Sequence, residues 1–80
     1  MAKKVVVSEK PVSKIIESAA DVGRIIKYVR TSNGLSIAEA AKLCNISHIT
    51  FADLEKGKGD VKFSTVWHIC HMFGLKITFI

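Results

Sequence analysis

Nowhere in the 80 residues does an apolar run approach the ~20 residues needed to cross a bilayer, so the chain carries no transmembrane signal. Met1–Lys10 also lacks the apolar core and small-residue cleavage site of a secretory leader. The expected location is the cytoplasm, with no membrane contact. Cysteine is scarce: Cys44 and Cys70 are the whole supply, and two thiols without an export signal do not make a disulfide framework. Both are expected as reduced, small core residues. Acidic residues are few, 7 against 12 lysines and arginines, which leaves a formal charge of +5. That excess favours a polyanionic partner, although plain solubility would use it equally well. Length is short as well. A chain of this size buries only ~60% of its unfolded surface, enough for one domain and too little for a large substrate cleft. With apolar residues at 49%, the body is globular, and part of the apolar excess is available to a subunit interface.

The organisation sharpens towards the C-terminus. Lys3-Lys4-Val5-Val6-Val7 is β-branched and short, suited to an edge strand or to a tail that orders on a partner. Pro11–Ala20 reads equally as a short helix or as coil. From Asp21 onward, Val22, Ile25, Ile26 and Val29 follow the i, i+3, i+4, i+7 stripe of an amphipathic helix that stops at Asn33-Gly34. Ser36-Ile37-Ala38-Glu39 is a capping box that opens a second, short helix. Asn45 suits the left-handed conformation of a tight turn, and Ser47 supplies the next N-cap two residues later. Ile46 and Phe51 are placed to staple that cap, Phe51 and Leu54 give the third helix its buried face, and Gly57 ends it. Phe63, Val66, Ile69, Cys70 and Phe73 repeat the helical spacing up to Gly74, after which Leu75, Ile77 and Phe79 alternate with Lys76 and Thr78 in strand periodicity.

The expected fold is therefore mainly α: a compact helix-turn-helix bundle of four to five helices, with a C-terminal β-strand used in dimerisation. Residues 1–20 are a lead-in, 21–74 the DNA-binding domain and 75–80 the strand. Two helices joined by a turn of roughly three or four residues in a basic helical domain can set one helix across a DNA backbone and aim the next into the major groove. Ala40 and Ala41 keep the second helix thin where the third crosses it.

In its ordered set of markers the chain resembles the lambda repressor and Cro family of helix-turn-helix regulators, and within it the HipB-like antitoxins. The markers are Gly23-Arg24-Ile25-Ile26 with Arg30, Gly34-Leu35-Ser36, Glu39-Ala40-Ala41, Ile46-Ser47, Asp53-Leu54-Glu55-Lys56-Gly57-Lys58, and Phe73-Gly74-Leu75. The resemblance covers about Val22–Ile80. It implies base-facing positions at Ser47, His48, Ile49 and Asp53, with Ala52 between them, and an ion pair between Arg30 and Glu55 that ties the first helix to the recognition helix. The family often places glutamine where this chain has Ile37, and arginine or glutamine where it has His48, Ile49 and Asp53. The resemblance also implies autoregulation of the protein's own operon and a toxin kinase as a second partner.

Chemistry assigns the contacts. His48 and Ser47 can donate to base edges or phosphates, Ile49 can meet a thymine methyl, and Asp53 can accept from a cytosine amino group while repelling phosphates. Phosphate contacts are expected from the amides at Ser36 and Ile37 and from Lys56, Lys58 and Lys62, with Arg24 and Lys27 as lesser candidates. The plain alternative for each set is a solvated helix face or a soluble loop. A strand at Leu75–Ile80 would leave an unpaired edge, so it is expected to pair with its copy in a homodimer or with Lys3–Val7. Such a dimer sets two recognition helices about one DNA turn, ~34 Å, apart on a pseudo-palindromic operator of double-stranded DNA. Trp67 lies off the tightest stripe and suits the dimer seam more than the core. Leu75, Ile77 and Phe79 complete the predicted interface.

Cys44, His48, His68, Cys70 and His71 raise a zinc reading, but their spacing weighs against it: His68 and Cys70 point about 200° apart on a helix. Thiols on apolar stripes are also poor nucleophiles, so neither an enzyme nor a cofactor is expected. The competing reading is a toxin-binding interaction module that keeps this fold with little or no DNA binding.

Overall fold

A computed structural model of the chain describes residues 5–11, 16–59 and 62–78. Among the described residues four helices follow one another: α1 (Ala19–Ser32), α2 (Ile37–Cys44), α3 (His48–Lys56) and α4 (Phe63–Met72). The start of α1 is set by Asp21, whose carboxylate accepts from the amides of Glu17 at 2.8 Å and Ser18 at 3.1 Å. These bonds, the Glu17 amide foremost, and the neighbouring Arg24 guanidinium hold the Asp21 carboxyl below its ordinary range. The helix closes at Asn33, after which Gly34 takes a left-handed conformation with φ 71°.

The capping box is reciprocal at α2. The Glu39 amide donates to Ser36 Oγ at 3.1 Å, and the Ser36 amide donates to Glu39 Oε1 at 2.9 Å. Asn45 ends the helix at φ 57° and ψ 45°, among described residues the lone non-glycine in the left-handed region. That conformation turns the chain sharply enough for Ser47 to cap α3, its hydroxyl accepting from the Thr50 amide at 3.0 Å. Gly57, at φ 70°, stops α3.

Ile26, Ala40, Ala41, Cys44, Phe51, Leu54 and Ile69 form one buried cluster, and Val22, Leu35, Ile37, Ile46, Val66 and Phe73 pack around it. α3 rests against both α1 and α2, and α4 docks on α2. The α1–α3 crossing is close because Gly23 has no side chain: a Cβ there would stand 2.6 Å from the Leu54 carbonyl oxygen. His68 Nε2 donates to the Cys44 carbonyl at 2.7 Å, joining α4 to the last turn of α2.

One expectation needs correction. The C-terminal strand is not seen: Leu75–Thr78 has no regular secondary structure, and Phe79 and Ile80 lie outside the described residues. The reason is geometric. A strand is defined by its ladder, the Leu75 amide turns back to the Cys70 carbonyl at 2.8 Å, and within one chain nothing among the described residues pairs with the rest. Nor do Val5–Val7 supply that partner, since they too have no regular secondary structure. The four helices among the described residues stand within the four to five expected. The short helix considered for the lead-in falls partly on residues 12–15, which lie outside the described set.

Candidate nucleic-acid interface

α3 presents the surface that matters. Phe51 and Leu54 face inward and are buried, which turns His48, Ile49 and Thr50 outward in the first turn. Ile49 is 73% exposed, which leaves its apolar side chain free to meet a partner. Ser47 is at the same end, but its hydroxyl is already engaged, accepting from the Thr50 amide and lying 2.7 Å from the Thr50 hydroxyl. Asp53, one turn further on, is half-buried, as is Ala52 beside it. The four residues expected at the base edge are thus unequal: His48 and Ile49 stand clear, Ser47 is tied into the cap, and Asp53 is partly screened.

Thr50 is the residue that sequence reading passed over. The signal was available in Ser47-x-x-Thr50, a spacing at which an N-cap hydroxyl meets the side chain of the third helical residue. Its methyl and hydroxyl now lie on the exposed side, next to Ile49.

The helix N-termini offer amides of different availability. In α2 the box consumes the Ser36 and Glu39 amides, and Ala40 donates to the Ser36 carbonyl at 2.9 Å. Intrahelical bonding cannot use the amides of Ile37 and Ala38, which are the ones left to meet an anion. The Ile37 side chain itself packs against the core. In α3 the equivalent free amides belong to His48 and Ile49. Glu39, an acid held ionised below its ordinary range by the Ser36 amide and hydroxyl, sits close to the first of these amide pairs and limits how strongly it attracts phosphate.

Lys56, Lys58 and Lys62 are all exposed, the first two at the C-terminal end of α3 and the third as the N-cap of α4. Arg24 differs: its guanidinium is paired with Asp21 on the same helix. Lys27 is exposed.

The frame behind α3 is held by a buried ion pair. Arg30 Nε and Nη2 donate to Glu55 Oε2 and Oε1 at 2.5 and 3.0 Å, and Nη1 donates to the Leu35 carbonyl at 2.8 Å. Both side chains are almost wholly covered, 8% and 5% exposed. One guanidinium therefore connects α1, the α1–α2 turn and α3, and the angle of the exposed helix follows from it.

Elsewhere, Trp67 does not lie over the core. It is 54% exposed and tilts against Phe63, itself 63% exposed, with ring centroids 6.3 Å apart. Leu75 and Ile77 are half-buried. The five residues of the zinc reading are dispersed: Cys44 and Cys70 are buried, His68 serves the Cys44 carbonyl, and among described residues no group of three or more histidines, cysteines or carboxylates is placed to hold a metal ion. Burial pushes both thiols above their ordinary pKa, the direction of an unreactive cysteine. Among described residues no helix is long and apolar enough to cross a membrane.

A domain in which a capped helix, a left-handed turn and a second capped helix expose an N-terminal first turn belongs to the helix-turn-helix class. Residues 26–80 match the protein family described as helix-turn-helix, and the chain belongs to that family, a class of sequence-specific DNA-binding regulators. Double-stranded DNA is the partner this class implies. No curated protein matches the chain.

Proposed function

We propose that the chain is a dimeric repressor of the HipB-like antitoxin type, acting on an operator at its own operon. What supports the DNA side of the reading is the first turn of α3, where His48, Ile49 and Thr50 are exposed beside two unused amides. His48 donates to a base edge, Ile49 fills the space beside a thymine methyl, and Asp53, one turn further along the helix, accepts from a cytosine amino group. The amides at the start of α2, counting Ile37 and the turn at Ser36, and the side chains of Lys56, Lys58 and Lys62 hold the backbone.

The dimer is supported by what one chain leaves uncovered. Phe63 and Trp67 are exposed on α4, and Leu75–Thr78 leaves the bundle without a ladder. Trp67, Leu75 and Ile77 of two copies, with Phe79 beyond the described residues, form the seam in this reading. A toxin kinase is the second partner, on the strength of the resemblance alone.

The test is a salt-dependent gel shift with duplex DNA from upstream of the protein's own reading frame, read beside the sedimentation mass of the free protein. Specific retention that weakens as salt rises, by a protein of twice the chain mass, is the expected result. A monomer that retains no duplex in preference to unrelated DNA would leave the interaction-module reading in its place.

A further inference from the structure

We propose that His68 is a positioning residue for DNA recognition: by holding the Cys44 carbonyl it fixes the turn that aims α3, so its loss costs the domain its choice among sequences more than its grip on duplex DNA. The inference rests on the DNA-binding reading above and extends it to a residue of α4, outside the helix-turn-helix.

The bond falls where the chain changes direction. Two of the last carbonyls of α2 are taken by amides of the turn, Ile46 donating to Ala41 at 3.0 Å and Asn45 to Lys42 at 3.1 Å. The Cys44 carbonyl lies past that pattern, and its donor comes from α4, His68 Nε2 at 2.7 Å. This carbonyl belongs to the planar peptide unit that leads into Asn45, so a donor held against it sets the plane on one side of the Asn45 torsion. Asn45 stands at φ 57°, a conformation that an L residue holds at a cost, and two residues later Ser47 caps α3. α4 in turn is anchored by Ile69 and Cys70, both buried, directly after His68. The imidazole thus transmits a fixed point of the core to the turn.

α3 is held at its other end by a different contact. Glu55, the residue before the last of the helix, is gripped by Arg30. With the turn released, Glu55 becomes the pivot. His48 lies seven residues before it (55 − 48 = 7), about 10 Å along the helix. A swing of roughly 10° about that pivot moves the first turn of α3 by about 2 Å, several times the ~0.5 Å within which a recognition group must be held. That turn carries His48 and Ile49, the side chains that meet base edges in the reading above. Lys56 and Lys58 lie beside the pivot and move little, so the phosphate contacts assigned to them survive. His68 itself is exposed, and its removal opens no cavity in the buried cluster.

The experiment uses the full chain, a footprinted duplex from its own upstream region and an unrelated duplex of the same length. Four proteins are compared by fluorescence anisotropy over a salt series, in the cold and well below every melting transition. They are wild type, His68→Ala, His68→Gln, whose side-chain amide can reach the same carbonyl, and Ile69→Val, which trims a buried side chain of the same helix as a control for stability. His68→Ala should bind the footprinted duplex on the order of tenfold more weakly, the weight of one base-edge contact, and hold the unrelated duplex within about twofold, with an unchanged salt slope. His68→Gln should regain most of the difference. Ile69→Val should melt lower and discriminate as wild type does. His68→Ala with the wild-type ratio between the two duplexes overturns the proposal, as does His68→Gln with no recovery, or Ile69→Val with the same loss of discrimination. Wild type that prefers neither duplex overturns the regulator reading itself, and the positioning role with it.

Discussion

The Arg30 guanidinium and the Glu55 carboxylate meet in a two-pronged, nearly solvent-free contact between α1 and α3, and the third donor of Arg30 closes on the Leu35 carbonyl. Removing one partner strands the other's charge in a covered site, at a cost of about 3–5 kcal/mol. Glu55→Gln should therefore lower the urea midpoint severely. The double variant Arg30→Met/Glu55→Leu leaves no stranded charge and should recover much of that loss. If the single and double variants are equally unstable, the pair contributes packing and not charge balance.

A second consequence follows from Gly23. Any side chain there meets the Leu54 and Glu55 carbonyls, which are backbone and cannot swing aside. Gly23→Ala should cost about 1–3 kcal/mol as overpacking and tilt α3 away from α1. Gly34→Ala is the control, because nothing lies within 4 Å of a Cβ there and only its positive φ, 71°, is strained. Thermal melting should rank Gly23→Ala as the worse, with operator affinity falling in the same order.

Acid should loosen the helix starts. Asp21 and Glu39 are held below their ordinary values of 3.8 and 4.5, so the folded state prefers them ionised. A depressed carboxyl pKa means that the unfolded chain takes up the proton first, as pH falls. The stability these caps add is complete above the ordinary values and is lost as pH drops through the lower folded ones. Glu39→Gln should flatten that part of the acid unfolding curve, followed by circular dichroism from about pH 6 downward. An unchanged curve would mean that the capping box is not coupled to folding.

His68 ties α4 to the last turn of α2. The Cys44 carbonyl is among those that a helix C-terminus cannot satisfy by itself, and the imidazole Nε2–H supplies the missing donor. His68→Ala should cost about 1 kcal/mol, the scale of one net hydrogen bond, and make the Cys44 thiol, now buried, more accessible to alkylation. Cys44 labelling at the wild-type rate in that variant would show that α4 stays docked by its apolar side chains alone.

What the sequence made legible was whatever rests on local chemistry. Ser36 and Glu39 are a capping box because their spacing permits nothing better, and Asn45 followed by Ser47 can only be a sharp turn between helices. His68 escaped that reading, since its partner is 24 positions away and no periodicity points to a lone carbonyl. Leu75–Thr78 failed for the opposite reason. Alternation marks a segment able to form a strand, but a strand also needs a neighbour, and the described residues of one chain do not provide it. Thr50 was within reach of the same capping logic that found Ser47.

In the proposed reading, the contacts to DNA separate by kind. His48 stands on the exposed first turn of α3, whereas Lys58 follows the left-handed stop at Gly57 and carries its charge on a loop. A base-edge donor discriminates among sequences by about 1–3 kcal/mol, while a phosphate contact adds the same affinity to every duplex. His48→Ala should therefore change which operator variants are preferred with little change in salt slope. Lys58→Ala should weaken all duplexes alike and reduce the slope by about 0.9. Asp53→Asn completes the set: it relieves repulsion of phosphates, so binding to unrelated DNA should tighten while discrimination at the operator narrows. Competition titrations against single-base operator variants distinguish the three outcomes. If His48→Ala behaves as Lys58→Ala does, the exposed first turn of α3 is touching backbone and not base edges, and sequence choice must lie elsewhere on the domain.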